Sequence, residues 1–217
     1  MGKLAIVATP IGNLEDITLR ALRALQEADL VLCEDTRVTR KLLEHYRIKT
    51  PVWSYHQHSD QVKSDRILAE LAAGKAVALV TDAGTPGVSD PGGKLVAEAV
   101  VSGHRLESIP GPSALTAAIA IAGLPLDKFL FLGFLPHKKG RQTLLKEIAE
   151  SKYPVILYES VHRIGKLLDE LPPSDEIVIA RELTKKFETV YRGKVEEVKK
   201  RLIKEEMKGE FVVIIAK

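Results

Sequence analysis

The segment Val80-Thr81-Asp82-Ala83-Gly84-Thr85-Pro86-Gly87-Val88-Ser89-Asp90-Pro91-Gly92-Gly93 holds four glycines, two prolines and two aspartates, directly after the apolar run Ala76-Val77-Ala78-Leu79-Val80. Too many of its positions need unusual backbone angles or lack an N–H for it to be a core segment. At the end of a strand, such a loop brings bare backbone against a small molecule. Two familiar phosphate readings fail. A dinucleotide fingerprint needs Gly-x-Gly-x-x-Gly, which is missing, and a P-loop needs Gly-x-x-x-x-Gly-Lys-Ser/Thr, whereas positions 88 and 95 are Val and Leu. Asp90 followed by Pro91 predicts a helix start, with Asp as N-cap and Pro at the first helical position.

Other polar sets stand at equivalent places. Thr9-Pro10-Ile11-Gly12-Asn13 follows the first apolar run and reads as a ligand-contact turn or as a plain strand–helix turn. Glu34-Asp35-Thr36-Arg37 ends the second run. Two carboxylates and an arginine there are costly to bury and well placed for a ligand, while Asp35 or Thr36 also suits a helix N-cap. Tyr158-Glu159-Ser160-Val161-His162-Arg163 and Arg181-Glu182-Leu183-Thr184-Lys185-Lys186 end later strands, where they face a substrate or merely solvent. Ser113, after Pro110-Gly111-Pro112, opens a further helix. Six histidines and one cysteine form no metal set: His56-x-His58 is the one close pair, and it lacks a third ligand at the usual spacing. A Gly-x-Ser-x-Gly elbow is absent, which argues against a serine hydrolase.

The elements that position these sets alternate. Strands are expected at Leu4–Ala8, Leu30–Cys33, Val52–Tyr55, Ala76–Thr81 and Arg105–Ile109. Helices are expected at Asp16–Ala28, Arg37–Tyr46, Gln61–Ala73, Gly92–Ser102 and Ala114–Ala122, the last apolar enough to be buried. Continuous apolar strands separated by helices imply a mostly parallel sheet covered on both faces. After a boundary near Gly123–Lys128, strands at Phe129–Phe134, Val155–Glu159, Ile177–Arg181, Thr189–Arg192 and Phe211–Ala216 alternate with helices at Arg141–Glu150, Val161–Leu171 and Lys194–Glu206. Some connections are too short for crossover helices, so this second sheet is expected to be mixed. The domains are taken as 1–125 and 126–217.

The chain has 217 residues and a formal net charge of +3. Residues 1–136 balance at −1 and residues 137–217 at +4, which is compatible with a polyanionic partner or with solvated lysines. Cys33, the single cysteine, reads as a buried thiol in a reducing compartment. No run is long enough for a membrane helix and none resembles a signal peptide, so a cytoplasmic location is expected. Five Phe and one Trp make base stacking an unobvious mode of RNA binding.

Taken in order, Val7–Asp16, Cys33–Arg37, Asp82–Pro86 with Ser89–Gly92, and Pro110–Ala114 resemble the tetrapyrrole methylase superfamily, within it the branch that methylates ribosomal RNA. Tyr158–Ser160 with His162-Arg163, and Arg181–Lys185, extend the resemblance over essentially the whole chain. It implies an α/β fold of two α/β domains, the first sheet mostly parallel and the second mixed, with S-adenosylmethionine in the interdomain cleft. It also implies a homodimer and transfer of a methyl group to the ribose 2′-hydroxyl of a cytidine in 16S ribosomal RNA, naked or in the small ribosomal subunit. Relatives of this branch often continue past the position of Lys217, which bears on RNA affinity rather than on cofactor binding. The resemblance assigns Pro10, Asp82, Gly84, Thr85, Pro86, Val88, Ser113 and Ala114 to the cofactor, with backbone near Leu183 and Gly209. No metal is needed for such a displacement. The acceptor hydroxyl would benefit from a base, for which Glu34, Asp35, Glu159, His162, Glu182 and Lys185 are unranked candidates. Lys138, Lys139, Arg141, Arg163 and Lys185 are candidates for RNA phosphate. Two other functions are weighed: methylation of a small tetrapyrrole, and a non-catalytic RNA-binding module.

Overall fold

Five short apolar strands pair in parallel through the first half of the chain: β1 (Lys3–Val7), β2 (Leu30–Cys33), β3 (Val52–Ser54), β4 (Ala76–Leu79) and β5 (Arg105–Ile109), in the order β3-β2-β4-β1-β5. The computed structural model describes residues 2–56, 61–90, 92–204 and 209–217. Alternate residues of each strand point to opposite faces, and each face carries its own helices. Ala5, Val7, Val31 and Cys33 pack with α1 (Leu19–Glu27) and α2 (Thr36–His45), whereas Leu4, Leu32, Val77 and Leu79 pack with α3 (Gln61–Ala72) and α4 (Gly93–Val101). The chain therefore leaves β1 and β2 toward one face, and β3 and β4 toward the other. At the carboxyl ends of β2, β4 and β1, loops part in opposite directions and open crevices, the ligand location of doubly wound sheets.

The second half builds a mixed sheet from β6 (Leu130–Phe134), β7 (Val155–Ser160), β8 (Glu176–Arg181), β9 (Thr189–Lys194) and β10 (Glu210–Ile215), in the order β6-β7-β10-β8-β9. Only β6 and β7 run parallel; the other pairs are antiparallel, as the short connections lead one to expect. One face buries Leu157, Ile179, Val213 and Tyr191 under α6 (Arg141–Glu150), α7 (Ile164–Glu170) and α8 (Val195–Lys204). α5 (Ala114–Ala122) packs on β8 and β10. The chain divides into compact units at Ser113/Ala114, so α5, grouped from sequence with the first half, travels with the second. It is also less buried than its composition suggested: Ala118 and Ala122 are enclosed, but Ile121 is exposed. Arg192 donates to the carbonyls of Ile121 and Ala122 and so caps this helix.

Two local expectations change. The first helix starts at Leu19, after a 3₁₀ turn at Leu14–Asp16, because Thr18 accepts from Ala21 N–H and caps it there. Asp90 does not cap α4: Gly92, at φ +134°, takes the N-cap position without a side-chain bond, and Pro91 lies outside the described residues. A Cβ on Gly92 would stand 2.9 Å from Leu79 Cδ2, so only glycine brings the chain this close to the strand. His58, half of the single close histidine pair, also lies outside the described residues. Among the described residues no helix is long and apolar enough to cross a membrane.

Candidate functional site

Three loops are tied together at the carboxyl edge of the first sheet. Thr9 and Gly84 exchange backbone hydrogen bonds of 2.9 and 3.0 Å, forming a one-residue antiparallel bridge between the loops after β1 and β4. Thr9 Oγ1 donates to Thr81 O at 3.1 Å, and Thr85 Oγ1 donates to Pro112 O in the loop after β5. Gly84, at φ +84°, makes the turn that aims its N–H and C=O at Thr9. Gly111 lets the loop after β5 lie on Ala8; a Cβ there would meet the Ala8 methyl at 3.1 Å. Pro10, Gly84 and Pro86 are buried within this clasp, Thr85, Val88 and Ser113 are half-buried, and Ala114 opens α5.

Beside it lies a cleft of about 600 Å³ lined by Glu34, Asp35, Thr36, Arg37, Ser54, His56 and Asp82. It sits where the loops after β2 and β4 diverge. Asp35 N–H donates to Asp82 Oδ1 at 3.1 Å and joins the two loops. The Asp35 side chain is already occupied: it caps α2 through Arg37 N–H and forms a bidentate pair with the Arg37 guanidinium, which holds its pKa down at about 2. The other carboxylates move the opposite way. Partial burial, then the charge of Asp82, raises Glu34, while His56 opposes the rise. Burial likewise raises Asp82, against the Asp35 N–H. Asp90 rises furthest, to about 6, through burial and the charge of Glu34. Near it, the buried Thr81 hydroxyl eases that rise yet makes no hydrogen bond of good geometry among the described residues. From sequence, Asp90 reads chiefly as a helix start within the 82–91 loop. Its Asp-Pro-Gly-Gly context carries no local sign that it faces Glu34.

In the second sheet, register brings the remaining sets to one edge: Ser160 pairs with Glu210, Phe211 with Arg181, and Phe134 with Tyr158. Glu159 is 1% exposed. Its Oε1 accepts from Ser160 N–H and forms an ion pair with Arg163 Nε, each at 2.8 Å, and its Oε2 is buried with no hydrogen-bond partner among the described residues. His162 is exposed beside it. Around β8, Lys185 Nζ donates to Glu182 Oε1 and Glu210 Oε2, both at 2.9 Å. Burial works against charge in both Glu182 and Lys185, but these bonds outweigh it, lowering the glutamate and raising the lysine. Leu183 is buried between Glu182 and Thr184, whose φ of +51° and +66° mark a strained turn. Gly209 faces it, and a Cβ there would meet the Glu182 side chain at 2.5 Å.

Of the five cations considered for phosphate, Arg141 is only 3% exposed and is consumed by a bidentate pair with Glu170. Arg163 and Lys185 are held in the networks above. Lys138 and Lys139 are exposed and unpaired among the described residues. Cys33 is buried, and burial raises its thiol pKa. Among the described residues no three His, Cys, Asp or Glu side chains group as a metal site.

A family model described as Tetrapyrrole (Corrin/Porphyrin) Methylases matches residues 3–199. The chain is 46% identical over 219 residues to a Thermotoga maritima protein named ribosomal RNA small subunit methyltransferase I, covering all of this chain and 99% of that one. It is 44% identical to a protein of the same name from Halalkalibacterium halodurans, covering 99% of this chain and 75% of that one. Among solved structures, uroporphyrin-III C-methyltransferase from Thermus thermophilus, complexed with S-adenyl homocysteine, matches with a TM-score of 0.69 and 22% identity, over all of this chain and 98% of that one. The last likeness is one of fold.

Proposed function

Since this chain belongs to the tetrapyrrole methylase family, we propose that it is an S-adenosylmethionine-dependent methyltransferase of small-subunit ribosomal RNA, with a cytidine ribose 2′-hydroxyl as acceptor. The observation that carries the proposal is the full-length, 46% identity to a relative named for that RNA. The first unit's chemistry fits the cofactor. Glu34, Asp82 and Asp90 gather unneutralised acceptors at the crevice, where a sulfonium and an ammonium are welcome, and the clasp of Thr9, Gly84 and Thr85 offers rigid, nearly side-chain-free backbone.

When bound, S-adenosylmethionine supplies an electrophilic methyl group open to in-line displacement. Pro10, Asp82, Gly84, Thr85, Pro86, Val88, Ser113 and Ala114 would hold it, with Leu183 and Gly209 adding backbone contacts. Their main contribution is orientation and exclusion of water, which suits a displacement needing no covalent intermediate. Glu34 is the base we favour. It is exposed at the cleft mouth, hydrogen-bonds to no described group, and is raised in pKa, all of which leave it ready to take the proton the hydroxyl loses. Asp35 is tied to Arg37, Glu159 to Arg163, and Glu182 to Lys185, while Lys185 is held positively charged. His162 serves as the alternative. A cytoplasmic homodimer is part of the same proposal.

Calorimetric titration with S-adenosylmethionine tests the pocket. Wild-type protein is expected to bind one equivalent, and Asp82→Ala to weaken binding by about 10-fold or more, as loss of a desolvated charge-assisted contact would. No heat with wild type, or equal affinity in the variant, would remove Asp82 from the cofactor site. Transfer of tritiated methyl to isolated small subunits, rather than to uroporphyrinogen, tests the acceptor class.

A further inference from the structure

We propose that Phe134, set against Arg163 at the edge of the second sheet, is the surface on which an unpaired base of the RNA substrate stacks. The inference rests on the RNA methyltransferase proposal above and deepens it. Phe134 is the last residue of β6 and keeps 49% of its surface in water, although its neighbours Gly133 and Leu135 are buried. Phe131 and Tyr158, the aromatics around it, are half-buried, so Phe134 is the most exposed ring of this cluster and presents a face the size of one base.

The ring is also held in place. Tyr158 meets it edge-on with centroids 5.5 Å apart, and Phe131 meets Tyr158 in the same way at 5.1 Å. The Arg163 guanidinium carbon stands 5.7 Å from the Phe134 centroid. That guanidinium is pinned by Leu135 O at 2.7 Å, Glu159 Oε1 at 2.8 Å and Ser160 Oγ at 3.3 Å, so its place against the ring is fixed. The buried Glu159 therefore acts as a positioning residue for the cation beside the platform. A fixed aromatic with a guanidinium against it is a sequence-tolerant stacking surface for nucleobases.

Charge completes the match. Lys138 and Lys139 follow within five residues, exposed and unpaired among the described residues, and residues 133–140 contain no carboxylate. An apolar π-face followed closely in the chain by unneutralised ammonium groups suits a base and its phosphates.

The test is the KM for isolated small ribosomal subunits in tritiated methyl transfer, measured for Phe134→Ala, Phe134→Leu and Phe134→Trp alongside wild type. Alanine and leucine are expected to raise KM by about 10-fold and tryptophan to stay within about 2-fold, with S-adenosylmethionine affinity unchanged in all three. Leucine keeps apolar packing against Tyr158, so it separates stacking from folding. A wild-type KM in the leucine variant would overturn the proposal. So would an unchanged KM in all variants, or a loss of sedimenting mass in place of a KM effect, which would mark a protein interface. Variants matching an active wild type would sink the stacking surface alone. A wild type that binds S-adenosylmethionine but methylates no subunit would sink the RNA proposal and this one with it.

Discussion

Asp90 is where a single side chain most changes the account. In a cap position it would be solvated and acidic; here burial and the neighbouring charge of Glu34 lift it to about 6. The sign follows. A carboxyl whose folded pKa exceeds its unfolded value near 3.8 is bound more tightly by protons in the folded state, so stability is lost as pH rises from about 4 to about 6. Asp90→Asn removes that loss. Its melting temperature is expected to exceed wild type above pH 6 and to merge with it below pH 4, and parallel curves would contradict the assignment. A cationic cofactor favours ionised Asp90, so S-adenosylmethionine affinity in wild type should climb as pH rises through 6, with a flatter profile in the variant. The sequence reading missed this residue because Asp-Pro is a strong local cap signal, and only the close pairing of β2 with β4 places Asp90 near Glu34.

At the scale of elements, strand ends and glycines do most of the positioning. The turn Glu182-Leu183-Thr184 holds two left-handed non-glycine residues and is kept there by Glu182 N–H to Glu210 O at 3.0 Å, Glu210 N–H to Glu182 Oε1 at 3.0 Å, and Thr184 N–H to Glu188 Oε2 at 2.6 Å. Gly209→Ala would press a Cβ into Glu182 while itself sitting at φ +105°. Chemical denaturation is expected to show a loss of about 1–3 kcal/mol, and a neutral result would mean the turn relaxes freely. Much at this level was legible beforehand. The apolar runs marked nearly every strand, and Asp35 capped α2 as one of the two foreseen readings. What stayed hidden depended on distant partners. Arg141 looked like a phosphate ligand because Glu170 is 29 residues away. Phe134 is not legible in the sequence, because counting aromatics says nothing about which ring a strand end leaves in water.

At the scale of the molecule, the first half is slightly acidic and the second basic. Of the five cations considered for phosphate, Arg141, Arg163 and Lys185 are neutralised internally, leaving Lys138 and Lys139 exposed, four and five residues after Phe134 in sequence. Replacing both by alanine is expected to lower the slope of log RNA affinity against log salt by about 1–2 without altering S-adenosylmethionine binding; an unchanged slope would place the phosphates elsewhere. The most direct test of the central claim is mass-spectrometric mapping of small-subunit RNA incubated with this protein and S-adenosylmethionine carrying a deuterated methyl. The account calls for one labelled methyl, on the ribose 2′-oxygen of a cytidine. Label on a base, or no label in RNA despite S-adenosylmethionine binding, would contradict it.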